Sequence, residues 1–142
     1  CDFREIGASG VAILRRDGFA SMRPDVGRAD GELVTRPLRF GGRHLFVNAA
    51  LGKGTLRAEV TDEDGRVLPG RSAADCEPIT GDGVKVRVRW KTADDLSPLA
   101  DKTVRFRFVL SGAELNGGDL YAFWVSPSTD GESRGYVGGL VR

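Results

Sequence analysis

Apolar and polar residues alternate in several short stretches of the chain, a pattern typical of β-strands with one buried face. In the two clearest stretches the apolar positions are Val84, Val86, Val88 and Trp90, and Val104, Phe106, Phe108 and Leu110. Mostly basic residues fill the positions between them, so each predicted strand has one apolar and one charged face, as in an antiparallel sheet. Further strands are predicted over residues 11–21, 32–40, 44–51, 56–60 and 120–125.

Turn-forming residues separate these stretches. Many of the 20 glycines stand in Asp-Gly, Asn-Gly and Gly-Gly pairs, which favour tight connections between strands. Residues 62–65 predict one hairpin turn and residues 116–119 another. The only helical candidate, residues 92–100, is interrupted by Pro98. About eight short strands with regularly spaced turns predict an all-β fold, an antiparallel two-sheet β-sandwich of the jelly-roll kind.

The chain has the length of a single domain. Residues 1–9 show no clear alternation and are predicted to be a linker or an edge segment, and residues 10–142 to form one β-sandwich domain. From Ser126 onward the sequence is rich in Ser, Gly and Asp, but Tyr136 gives this tail an apolar group with which to dock. We therefore expect an ordered, irregular tail that packs back on the sandwich.

Charge and hydropathy argue against two broad classes of partner. The formal net charge is +1, from 21 basic and 20 acidic residues, whereas nucleic-acid-binding domains normally carry a basic excess. No apolar run approaches the roughly 20 residues that cross a bilayer as a helix, so no membrane span is predicted. Cys1 could be the lipidated cysteine of a bacterial lipoprotein or the point where a longer chain was cut, and a Cys1–Cys76 disulfide stays open.

Short motifs follow one another in a distinctive order along residues 10–125. They are Arg-Asp-Gly-Phe at 16–19, Gly-Glu-Leu-Val-Thr-Arg-Pro at 31–37, Leu-Phe-Val-Asn at 45–48, Gly-Thr-Leu-Arg-Ala-Glu-Val-Thr-Asp at 54–62, Cys-Glu-Pro-Ile at 76–79, Val-Arg-Trp at 88–90, Val-Arg-Phe-Arg-Phe at 104–108 and Leu-Tyr-Ala-Phe at 120–123. In this combination the chain resembles the C-terminal β-sandwich accessory domain of bacterial family-32-like glycoside hydrolases.

The resemblance implies a domain that sits beside a catalytic β-propeller in an extracellular or periplasmic protein. In such enzymes the carboxylates that cleave the sugar belong to the propeller, whose Asn-Asp-Pro, Arg-Asp-Pro and Glu-Cys motifs do not occur here. Arg16-Asp17 is followed by Gly18, and Cys76-Glu77 has the reverse order. No catalytic residue is therefore carried over. The loop at 116–119 is longer than the family pattern and is one place where a ligand edge could have diverged.

The residues that most chemistries need are scarce. His44 is the only histidine, so a Ser-His-Asp triad would have to use it, and a zinc site with two histidines is impossible. Cys76 is more typical of a small buried apolar residue than of a reactive thiol. Asp62-x-Asp64-Gly65 resembles the start of a calcium loop but lacks the downstream bidentate glutamate, so we expect a hairpin turn. The sequence predicts no catalytic site, cofactor or metal, and the protein is not expected to be an enzyme.

Aromatic and basic side chains remain as binding candidates. Trp124 could be a platform for a sugar, although core or interdomain packing is favoured, and Tyr136 is a weaker candidate of the same kind. Two basic rows, Lys85, Arg87 and Arg89 in one and Arg105 and Arg107 in the other, would share one surface if their strands pair. Such a surface would suit an acidic polysaccharide, although a solvated sheet face explains it more simply.

The predicted function is therefore that of a non-catalytic accessory domain. It would bind a polysaccharide or oligosaccharide, or position a catalytic partner against one. The alternative is a purely structural or interaction domain, in which Trp124 and exposed apolar surface form an interface and no glycan binds.

Overall fold

The computed structural model describes residues 10–25, 27–28, 30–93, 95–112 and 118–132. Five strands form one antiparallel sheet: β1 (Gly31–Val34), β2 (His44–Thr61), β3 (Ile79–Arg87), β4 (Arg105–Ser111) and β5 (Asp119–Ser126). The all-β, antiparallel prediction is confirmed. The sheet is open, and its division into two sheets stays a prediction. Residues 1–9, Tyr136 and residues 116–117 of the predicted 116–119 turn lie outside the described ranges.

Helical structure in these ranges is limited to one 3₁₀ turn, Ser97–Leu99, which contains Pro98. It falls where the sequence placed its interrupted helical candidate. No helix among the described residues is long and apolar enough to cross a membrane.

Strand β2 is the centre of the sheet. The order is β1-β4-β2-β3, and β5 also pairs with β2. The first half of β2 lies between β3 and β5, and its second half pairs with β4. Sequence analysis predicted two strands here, 44–51 and 56–60, separated by Gly52-Lys53-Gly54. The structure instead has one strand across these residues, interrupted locally by a left-handed φ of +55° at Gly52 and a register shift between Ala50 and Thr55, which glycine accommodates.

The core lies on one side of β4 and β5. Phe106 and Phe108 on β4 are completely buried, and both contact the Phe123 ring of β5, with centroid distances of 5.8 and 5.1 Å. Strands β4 and β5 do not pair with each other, so these ring contacts join strands that are not hydrogen-bonded neighbours. Trp90 is also buried, as predicted, and donates its indole N–H to the Ala58 carbonyl at 3.0 Å.

The predicted strand over 11–21 is wrong. Its described residues form an irregular segment, joined to β5 by a single antiparallel bridge between Met22 and Leu120. A turn closed by the Gly18 N–H and the Arg15 carbonyl at 2.9 Å interrupts the alternation. Val11, Ile13 and Phe19 are 94%, 92% and 88% exposed, so their alternation does not reflect a buried face.

The predicted strand over 32–40 is shorter than expected. Strand β1 ends at Val34, and Pro37, which has no N–H to donate, follows. The chain then returns to the edge of the sheet at a bridge between Leu38 and Val104, with N–O distances of 2.9 and 3.0 Å.

The hairpin turn at 62–65 is confirmed. The Gly65 N–H donates to the Asp62 carbonyl at 3.1 Å, and Gly65 has a φ of +85°. The Asp62 carboxylate accepts the Arg66 N–H at 2.8 Å, so it is used within the turn.

Candidate functional site

Trp124 lies directly opposite Phe46 on the neighbouring strand. The two rings stack with centroids 5.7 Å apart and planes inclined by 15°. Phe46 is buried and Trp124 is half-buried. The indole N–H of Trp124 donates to the Gly131 carbonyl at 3.1 Å, so its polar atom is satisfied. The indole is thus fixed in orientation while part of it stays accessible.

The turn that follows β5 packs on this aromatic pair. Gly131 has a φ of +71°, and a Cβ atom there would lie 2.6 Å from Phe46 Cε1 and 2.9 Å from Lys85 Cδ. Only glycine fits so close to both side chains. The Asp130 carboxylate accepts the Ser128 hydroxyl and the Glu132 N–H, and these bonds hold the pKa of Asp130 below its usual value. The turn is therefore ordered by its own polar groups.

A second turn, Arg15 to Gly18, is held against strand β2 by the buried side-chain amide of Asn48. Asn48, only 1% exposed, accepts a hydrogen bond from Arg15 Nε at 2.6 Å and donates one to the Arg16 carbonyl at 2.6 Å. An amide can donate and accept at once, which explains an asparagine among the apolar residues of β2. This clamp positions Arg16 and Asp17.

Arg15 is held by more than Asn48. Its guanidinium lies 2.5 Å from the Asp82 carboxylate on β3 and 4.9 Å from the ring centroid of Tyr121. The register of β5 shifts between Asn48 and Ala49, which leaves Tyr121 as an extra residue in the ladder. Such a bulge redirects side chains, and here it accompanies the placement of Tyr121 beside Arg15. The turn is thereby tied to β2, β3 and β5 together.

Between the two turns lies a cleft of about 470 Å³. It is lined by Arg16, Asp17, Val84, Lys85, Trp124, Gly131 and Glu132. Two basic groups and two carboxylates thus surround one aromatic wall. The volume falls within the roughly 300–1,000 Å³ of small-ligand sites. The arrangement can pack against a flat apolar face and can donate and accept hydrogen bonds around it.

A shallower groove of about 430 Å³ runs along β3. It is lined by Glu77, Pro78, Ile79, Thr80, Lys85, Val86, Arg87 and Arg89. The predicted row Lys85, Arg87 and Arg89 therefore lines one groove. Arg87 Nη2 lies 2.9 Å from His44 Nδ1. Burial and the Arg87 charge lower the pKa of His44, which favours a neutral ring that accepts this hydrogen bond.

The second basic row lies elsewhere. Strand β2 separates β4 from β3, so Arg105 and Arg107 do not share a surface with the first row through strand pairing. Arg107 is 2.7 Å from the Glu32 carboxylate and 3.0 Å from the buried Glu59 carboxylate. Arg105 donates to the Thr35 carbonyl at 3.2 Å. These contacts give both arginines a place in the packing around β4.

Of the predicted binding residues, the cleft brings together Trp124 and Lys85, with Arg87 and Arg89 next to them. Tyr136 lies outside the described residues. Arg16, Asp17 and Glu132 also line the cleft but were not predicted from the sequence. Asn48, a polar residue in the otherwise apolar stretch Leu45–Leu51, was the signal that a second segment docks on β2.

Across the described ranges, no three His, Cys, Asp or Glu side chains lie close enough to hold a metal ion. Cys76 is completely buried, as predicted, and burial raises the pKa of its thiol.

Comparisons of the chain with protein-family models, with curated proteins and with solved structures find no match. The resemblance to the accessory domain of glycoside hydrolases therefore stands on the sequence motifs alone.

Proposed function

We propose that the domain binds carbohydrate in the cleft beside Trp124, as a non-catalytic accessory module of a carbohydrate-active protein. The observation that carries the proposal is the fixed indole, stacked on Phe46 and anchored at Gly131, with part of it accessible in a cleft of ligand size. Sugar rings have apolar C–H faces that pack on flat aromatic rings. A ring already held in place loses little conformational entropy when a ligand binds.

The polar lining suits sugar hydroxyls. Each hydroxyl both donates and accepts hydrogen bonds, and the cleft offers donors in Arg16 and Lys85 and acceptors in Asp17 and Glu132. The clamp on Asn48 fixes the backbone of Arg16, so part of this lining is positioned before a ligand arrives. A few oriented polar groups around an apolar wall are the usual composition of a small-molecule site.

We propose further that the strands form two layers. Strand β2 has a left-handed φ at Gly52 and a register shift beside it. We propose that β2 bends there, with β1, β4 and its second half in one layer and β3, β5 and its first half in the other. The contacts of Phe123 with Phe106 and Phe108 support two layers that face each other across the core. The motif resemblance adds a catalytic β-propeller as neighbour and an extracellular or periplasmic location.

One observation favours a second function, a structural or interaction domain without glycan binding. Val11, Ile13 and Phe19 are almost fully exposed within one short segment. Exposed apolar residues that cluster in this way are typical of surfaces that another protein covers. In this alternative the segment packs against a neighbouring domain or a second copy of the chain, and the Trp124 cleft carries no sugar.

A glycan-array screen followed by calorimetry separates the two functions. We expect Trp124→Ala to weaken glycan binding at least tenfold, whereas Phe19→Ala, which removes an exposed aromatic ring outside the cleft lining, leaves it unchanged. Trp124→Phe, which keeps a ring, should retain part of the affinity. The proposal fails if the folded protein binds no neutral or acidic glycan. Self-association that Phe19→Ala abolishes would then support the alternative.

A further inference from the structure

The Trp124 cleft and the β3 groove meet at Lys85, which lines both. The alkyl chain of Lys85 packs beneath the turn that follows β5, since a Cβ at Gly131 would lie 2.9 Å from Lys85 Cδ. The Lys85 charge also helps to lower the pKa of the Asp130 carboxylate on that turn. Lys85 therefore lies between the two depressions, which adjoin at this residue.

Charge changes along this surface. The cleft has equal numbers of basic and acidic lining residues, whereas the groove is lined by Lys85, Arg87 and Arg89 against a single carboxylate, Glu77. Alternate residues of a strand are about 7 Å apart, so the three cations extend over about 14 Å. The whole chain carries a net charge of only +1, so three cations against one carboxylate is a local concentration of positive charge.

The groove also lies at an edge of the sheet. Among the described strands β3 (Ile79–Arg87) pairs only with β2, so its other edge faces no named strand. Beyond β3 this edge is paired, since the Glu77 N–H donates to the Arg89 carbonyl at 2.9 Å and Cys76 forms a bridge with Trp90. An extended ligand along the free part of the edge would pass Lys85 and Arg87 and reach the exposed Arg89 side chain at its end. Guanidinium groups bind carboxylates and sulfates through paired hydrogen bonds, which gives such contacts direction as well as charge.

We infer that the ligand is an acidic polysaccharide, bound by one sugar ring at Trp124 and by the carboxylate or sulfate groups of the following residues along Lys85, Arg87 and Arg89. This inference rests on the proposed function, because it extends the same site. It names the ligand class as anionic and requires a chain of several sugars. A single neutral sugar would use the cleft alone.

Calorimetry of the full chain with two matched polymers tests the inference. Polygalacturonate supplies one carboxylate per sugar, and its carboxyl-reduced form supplies the same backbone without charge. We expect Arg89→Ala to weaken binding of polygalacturonate about three- to tenfold and to leave the neutral polymer unaffected. Arg36→Ala, which removes an exposed arginine beside β1 at the opposite end of the strand order, is the matched control and should change neither. A sulfated polymer distinguishes sulfate from carboxylate as the preferred group.

The outcomes separate the two proposals. If Trp124→Ala abolishes binding of both polymers and Arg89→Ala weakens binding of the acidic polymer alone, both the cleft and the groove bind the ligand. If Trp124→Ala abolishes binding and Arg89→Ala has no effect, the groove is overturned while the cleft stands. If no glycan binds, both proposals fail. Equal binding of single-stranded DNA of the same charge would overturn a carbohydrate as the occupant.

Discussion

Replacement of Asn48 by alanine tests whether one buried amide holds the Arg15–Gly18 turn against the sheet. The amide accepts a hydrogen bond from the Arg15 guanidinium and donates one to the Arg16 carbonyl, both at 2.6 Å. Alanine removes both bonds at a position that is 1% exposed. Water cannot easily replace the amide on the β2 side, so the loss should be large for a single polar group.

The magnitude follows from the two bonds. A hydrogen bond to a charged group contributes about 1.5–3 kcal/mol and a neutral one about 0.5–1.5 kcal/mol. Arg15 keeps its contacts with Asp82 and the Ala49 carbonyl, which limits the loss. We therefore expect the free energy that holds the turn to fall by roughly 2–4 kcal/mol. Because the turn lies at the surface, this loss should appear first as local opening of the segment rather than as global unfolding.

Amide hydrogen exchange at Gly18 measures that opening, since its N–H donates to the Arg15 carbonyl within the turn. Protection at Gly18 should fall about 30- to 700-fold in Asn48→Ala, because each 1.4 kcal/mol is a factor of ten. The control Asn48→Asp keeps the acceptor for Arg15 but loses the donor to Arg16, so its effect should be intermediate. Glycan affinity should fall in parallel. Unchanged exchange at Gly18, with a change in unfolding free energy below about 0.5 kcal/mol, would refute the role of the amide.

Three further predictions concern packing, ionisation and reactivity. Gly131→Ala should lower the free energy of urea unfolding by about 2–4 kcal/mol, since backbone strain adds to a clash with the Phe46 ring. Gly81→Ala, at a similar φ of +76° but with open space around it, should lower it by only about 1 kcal/mol. Equal losses in the two variants would contradict the contact between Gly131 and Phe46. The Arg107 hydrogen bond lowers the pKa of Glu32, so the wild type should be more stable to unfolding than Glu32→Gln by at most about 1 kcal/mol at this half-exposed pair. This difference should be full above pH 4.5 and vanish as the pH falls through the lowered pKa. A difference in unfolding free energy that does not change with pH would count against the ion pair. Cys76 should react with a thiol reagent at pH 8 only as the protein unfolds, as mass spectrometry of its peptide would show, and rapid labelling of the native state would be inconsistent with its burial.

The alternation of the sequence predicted β4 well because one face of this strand is buried along its whole length. Phe106, Phe108 and Leu110 are buried, and Arg107 between them is only partly so. The same pattern over 84–90 was less informative. Val84 is 45% exposed, because β3 lies at an edge and its register with β2 shifts twice, so this valine leaves the core. Alternation indicates that a strand has two faces, but it does not say what covers them.

The candidate site was predictable only where it lies on strands. Trp124 and Lys85 stood out as an aromatic and a basic residue in alternating segments. Arg16 reaches the cleft because a hydrogen bond from Asn48 holds its segment there, a contact between residues far apart in the sequence. Strand order was equally hidden: nothing in the sequence of β3 and β4 tells that β2 separates them, which is why Arg107 was grouped with the wrong surface.

The central position of β2 bears on how the chain is made. Strand β2 pairs with β3, β4 and β5, and two of these three partners leave the ribosome long after it. At about 5–20 residues per second, β2 waits for several seconds with its apolar residues unmatched. An unpaired strand of this kind is prone to associate with other nascent chains. Sequence-distant pairing also slows folding itself. We expect soluble yield in a bacterial host to depend on chaperones and on growth temperature, and to respond to substitutions in β2 more than to those in β1.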